Sequence, residues 1–160
     1  MINLSLIIIS YVVAIIHFIF LKEKNLKSFI HYMLFYAILI QIGIMGFFFG
    51  FIPHVFYSDV IAQKIGWQPG SPFQIEVGIH DGAWGILGFL SLKLKNGFRL
   101  ATIIGWSLFM FGAGVGHIIQ TVAYGNFEEY NFIMIFVDIF IAIELPILYY
   151  INHRLEKKNQ

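Results

Sequence analysis

Residues 66–88 read GWQPGSPFQIEVGIHDGAWGILG, placing a glutamate, a histidine and an aspartate inside an otherwise apolar run. Pro69, Gly70 and Pro72 break the chain, and Ser71 offers a capping hydroxyl, so a helix is predicted to begin near Pro72. On that helix Glu76 and His80 share one face, and Asp81 sits about 100° round from His80. Gly78 and Gly82 form a small-xxx-small pair that admits a second backbone at close range. Ionisable groups are expensive in a membrane helix and mark a functional site by default.

The rest of the chain has the composition of a membrane protein. Of 160 residues, 59% are hydrophobic and 12% charged, with a mean hydropathy of +0.79, which is far more apolar and about half as charged as a soluble domain. A span needs about 20 apolar residues, so the length suits one transmembrane domain, residues 1–160, and leaves no room for a soluble catalytic domain. The absence of cysteine excludes disulfides, thiolate metal ligands, palmitoylation and quinone-linked disulfide generation. A net charge of +1, with basic residues scattered over short loops, excludes nucleic acid as a partner.

Five apolar runs predict an all-α, polytopic helical bundle with helices over about 2–21, 29–52, 73–92, 100–123 and 132–151. The first run is too long for a signal-peptide core and lacks a basic flank, so it is read as a retained helix. Residues 54–72 are too polar to span and form an amphipathic connector at the interface between helices 2 and 3. Lys22, Lys24 and Lys27, then Lys93, Lys95 and Arg99, then Arg154, Lys157 and Lys158 fall on one side. By the positive-inside rule that side is cytoplasmic, giving N-terminus out and C-terminus in across the cytoplasmic (inner) membrane, with the lipid bilayer as the main partner.

Orientation converts sequence position into depth. At about 1.5 Å per residue, Glu76, His80 and Asp81 descend from the outer face, while His117 and Asp138 each lie about 9 Å below it. His54 and Asp59 are expected at the outer rim, and Gln41 and Glu144 near mid-membrane. Gly46 with Gly50, Gly78 with Gly82, and Gly112 with Gly116 are expected to bring three helices together in that outer half. Such pairs are association motifs first and also leave oligomerisation open. His17 and His31 lie near the cytoplasmic ends, where their rings reach the headgroups, and are left out of the site.

The candidate ligand-binding set is therefore Glu76, His80, Asp81, Trp84, His117, Gln120 and Asp138, with Trp67 and Tyr124 as neighbouring aromatics. His117 and Asp138 are the candidate catalytic pair. A bland alternative is that they form only an interhelical hydrogen bond. Glu76, His80, His117 and Asp138 supply two carboxylates and two imidazoles, a donor set that suits zinc, iron or copper. E-x-x-x-H carries little specificity beside the absent H-E-x-x-H, so a metal is the minor expectation and haem between His80 and His117 ranks below it.

At these residues the chain resembles a family of small, uncharacterised prokaryotic integral membrane proteins, a domain-of-unknown-function family. The marks are I-G-W-x-x-G-S-P-F-Q-x-E-V-G over residues 65–78, Gly116-His117-Ile118, and Asp138 with Pro146. The resemblance implies small or amide residues at positions 80 and 81 and an aspartate at 113, where this chain has His80, Asp81 and Ala113. It implies that Asp81 supplies, from the facing helix, the carboxylate missing at Ala113. It implies no activity.

Two functions follow from the residues. One is a binding or transport module whose outer pocket holds a small molecule, proton or cation. The other is a membrane-embedded enzyme acting on a lipid or quinone-like substrate, with His117 as acid/base and Asp138 or Asp81 orienting it. Whether the polar cluster opens sideways to lipid or upward to water separates them. A structural subunit of a membrane complex is a third reading.

Overall fold

The computed structural model describes residues 2–158. Among them every regular element is helical: α1 (Ile2–Ile19), α2 (Leu26–Phe56), α3 (Ser58–Ile65), α4 (Phe73–Ser91), α5 (Gly97–Tyr124) and α6 (Glu129–Lys157). Four of these, α1, α2, α5 and α6, are long and apolar enough to cross a membrane. The remaining long helix, α4, has 19 residues, and its apolar content is diluted by Gln74, Glu76, His80, Asp81 and a series of glycines. The boundaries differ from the sequence expectation mainly in length. The last two helices extend further at both ends, and α2 runs on to Phe56, taking His54 out of the connector and into a helix.

The helices form two intimate antiparallel pairs, α2 with α4 and α5 with α6, and α1 packs against α2. Glycine explains the first pair. A Cβ on Gly85 would lie 2.5 Å from the Phe47 backbone nitrogen, and one on Gly88 would lie 2.7 Å from the Gly43 nitrogen. From the other side, a Cβ on Gly46 would lie 2.8 Å from the Asp81 carbonyl oxygen. These two backbones touch, as small-residue seams allow. The expected Gly46–Gly50 and Gly78–Gly82 pairs both belong to this seam, Gly82 meeting Phe51 and Gly78 meeting Val55. The expected Gly112–Gly116 pair does not pack: nothing stands within 4 Å of either Cβ position. On α5 the close approaches occur instead at Gly105, against Trp84, and at Gly114, against Ile139.

Within α2, residues Ile38–Phe51 wind as a π-helix. An α-helix would put Met45 and His54 about 180° apart; the slower turn of the i→i+5 winding brings both toward one side, and both line the same cavity. At the opposite end of the bundle, buried Arg99 donates through Nε to the Ser91 carbonyl oxygen at 2.9 Å, capping the C-terminus of α4. Arg99 lies in the first turn of α5, not in a free loop.

Candidate functional site

The α2–α4 pair and the α5–α6 pair separate at the end of the bundle that holds the start of α1, the end of α2, the start of α4, the end of α5 and the start of α6. Between them is a cavity of about 550 Å³. Met45, Phe49 and His54 reach it from α2, Val77 and Asp81 from α4, Trp106, Met110 and His117 from α5, and Tyr130, Met134 and Asp138 from α6. The volume is that of a small-molecule site, mostly apolar with a few convergent polar groups.

The polar end is built around His117. Its Nδ1 is 2.7 Å from Asn131 Oδ1, and Asn131 is fully buried. The Asn131 amide nitrogen donates to Thr121 Oγ1 at 2.9 Å and to the Asn126 carbonyl oxygen at 3.1 Å. Those acceptors fix the amide with its oxygen toward the imidazole, so His117 Nδ1 carries a proton and donates it. Nε2 is therefore the nitrogen that gains and loses a proton, and it faces Asp138 Oδ2 at 3.7 Å. Asp138 is 1% exposed, and its Oδ1 has no hydrogen-bond partner. Across the cavity Asp81, 7% exposed, also has an unpartnered Oδ1. The Asp81 side chain lies against Gly50, where a Cβ would come within 2.6 Å of Oδ2.

The connector covers this end. Gly66 terminates α3 with φ +79°, a conformation open to glycine at little cost. A Cβ there would also strike Asn126 Oδ1 at 2.5 Å. Asn126 Nδ2 donates to the Ile65 carbonyl oxygen at 2.8 Å, and Asp59 Oδ1 accepts from the Gly70 amide at 2.8 Å. Ile65 and Trp67 are thereby held over the cavity, with the indole stacked on the His117 ring at a centroid distance of 6.1 Å. Two of the lining residues also reach the surface. Phe73 and Leu108 line the cavity yet are 51% and 67% exposed, and Gly112, Ala113 and Gly116 leave the wall of α5 low between them.

Of the residues singled out from sequence, Asp81, His117, Gln120 and Asp138 line the cavity. Glu76 and His80 do not: both are exposed, on the outer side of α4, and they do not join His117 and Asp138. The i, i+4 spacing gave them a common face, but that face is turned away from the α2 seam that orients the helix. His80 Nε2 accepts from Trp84 Nε1 at 3.0 Å, and the Trp84 ring fills the notch at Gly105 outside the cavity. Among the described residues no three His, Asp or Glu side chains gather at metal-ligating distance. Tyr124 is exposed beyond the cavity rim. His17 pairs with Tyr36 at 2.8 Å and His31 faces Glu156 at 4.0 Å, both far from the site.

Sequence reasoning missed Asn131, Asn3, Tyr130 and Met134. Asn131 carried a usable signal, an amide at the start of a membrane helix fourteen positions after His117 and thus at the same level. In the middle of α2, Gln41 is fully buried and donates to Ser10 Oγ at 2.9 Å. Glu144 is buried with an unpartnered Oε1.

Residues 1–158 match DUF6790, described as a family of unknown function. No curated protein and no solved structure matches the chain.

Proposed function

Taking as premise that the chain belongs to the DUF6790 family of unknown function, we propose that it is an integral membrane protein that binds a small amphiphilic molecule taken from the bilayer. The observation that supports this reading is that Phe73 and Leu108 line an apolar cavity and are 51% and 67% exposed, while Ile65 and Trp67 cover its end; in this reading lipid reaches the cavity between Phe73 and Leu108. The apolar body of the ligand lies along Met45, Phe49 and Met110, and its polar end meets Asp81, His117 and Asp138. In this reading α4 is the fifth crossing, with the N-terminus outside and the C-terminus inside, and the cavity lies in the outer half.

The test is mass spectrometry of small molecules that accompany the gently purified protein, compared with Gly116→Leu. Gly116 lines the cavity with open space at its Cβ position, so leucine fills the site without breaking a helix seam. Loss of an amphiphile from the variant is the expected result; an unchanged set of co-purifying molecules in a folded variant would sink the reading.

A second reading is favoured by one observation, the pinned Nδ1 proton of His117 with Nε2 turned toward Asp138. In that reading the pair exchanges a proton with the bound molecule and the protein is an enzyme acting on a lipid or quinone-like substrate. A chemical difference between the molecules co-purifying with the parent and with His117→Gln would distinguish catalysis from binding.

A further inference from the structure

Resting on the reading of the cavity as a lateral amphiphile site, we infer that its ligand carries its polar end as a lipophilic organic cation, an ammonium group on an apolar body. Asp81 and Asp138 both line the cavity, both are more than nine-tenths buried, and each has an Oδ1 without a hydrogen-bond partner. No lysine or arginine lines the cavity, so any counter-charge from the protein there is an imidazolium; the bundle's buried arginine, Arg99, caps α4 at the far end. The two imidazoles present, His54 and His117, each have Nδ1 engaged, by Gln74 Oε1 at 2.6 Å and Asn131 Oδ1 at 2.7 Å.

A buried carboxyl avoids an isolated charge by keeping its proton or by meeting a counter-charge, and a bound cation supplies the second. An inorganic divalent ion asks for several hard ligands, and no three acidic or histidine side chains gather here. Three aromatic rings, Trp106, Phe49 and Trp67, line the same space as the two carboxyls. Carboxylates backed by aromatic faces are the recognition chemistry of organic ammonium groups, which sit over rings and bring their own apolar shell. An anionic headgroup would be repelled by either carboxyl once ionised.

The experiment uses the full chain in lipid nanodiscs, with dodecyltrimethylammonium and dodecan-1-ol as probes and empty nanodiscs as the partition control. Trp67 and Trp106 line the cavity, so their fluorescence reports occupancy. The ammonium probe should bind about tenfold or more tightly than the alcohol, and Asp138→Asn should remove that preference. Asp81→Asn provides the same test from the opposite wall. Because the comparison of the two probes on the parent protein needs no variant, misfolding of either one leaves the result readable. Equal binding of both probes overturns the cation inference and leaves the amphiphile site standing. Binding of neither above the empty-disc control overturns both.

Discussion

Asn131 Oδ1 lies 2.7 Å from His117 Nδ1, and this buried contact between α5 and α6 decides which imidazole nitrogen carries the proton of the neutral ring. The asparagine is itself held by Thr121 and the Asn126 carbonyl, and Asn126 in turn holds the connector through Ile65. One amide thus links the orientation of the histidine to the cover above it, since the cover's Trp67 stacks on that same ring.

The first prediction concerns this lock. With Asn131 in place, nitrogen NMR of the His117 imidazole should show the Nδ1–H form whenever the ring is neutral. Asn131→Leu removes the acceptor and leaves His117 Nδ1–H buried and unpaired, costing about 1–3 kcal/mol and mixing the tautomers. A single Nδ1–H tautomer persisting in Asn131→Leu would show that the amide does not set the ring.

The second prediction separates two kinds of glycine. Gly85→Leu drives a side chain into the Phe47 backbone and should lower thermal stability in detergent by several kcal/mol, beyond the roughly 1–3 kcal/mol of ordinary overpacking. Gly116→Leu meets open space and should melt near the parent temperature. Similar melting of Gly85→Leu and the parent would refute backbone contact between α2 and α4.

How far these features were legible in the sequence depends on the length scale of each signal. Apolar runs and loop charges reveal helices and their alternation because those signals are averaged over about twenty residues. From alternation alone, Asp81, His117 and Asp138 come out at one level, and all three line one cavity. The facing of each helix is a different matter. Glu76 and His80 lie outside because α4 is rotated by its glycine seam, and the glycines of both helices, not the polar residues, choose that rotation. Gly112 and Gly116 carry the same spacing but meet no partner, since a small-xxx-small pair records where a helix is narrow and not what stands opposite. The π-helical winding of Ile38–Phe51 has no local signature either; α-helical phase would put Met45 and His54 on opposite sides.

The third prediction tests orientation and the fifth crossing together. The chain has no cysteine, so single cysteines report cleanly. Ser71→Cys and Glu129→Cys should react with a membrane-impermeant thiol reagent on whole cells, and Lys24→Cys and Lys95→Cys only after lysis. Ser71 and Lys95 bracket α4, so labelling of both from outside would mean that α4 does not cross.

The fourth prediction concerns the pair at the centre of the site. His117 Nε2 and Asp138 Oδ2 are 3.7 Å apart, with the aspartate 1% exposed, so each is the other's nearest partner of opposite charge when the imidazole is protonated. Neighbouring ionisable groups this deeply buried are energetically coupled, and in a double-mutant cycle such contacts give interaction energies of about 0.5–3 kcal/mol. His117→Gln and Asp138→Asn keep the volume and remove the proton exchange, which avoids opening a void between α5 and α6. Each single change should alter unfolding stability, and the double change should cost less than the sum, because the second substitution removes a partner already lost. Additivity within experimental error, with Gly116→Leu still emptying the cavity, would leave the amphiphile site intact but would assign His117 and Asp138 to separate roles in it.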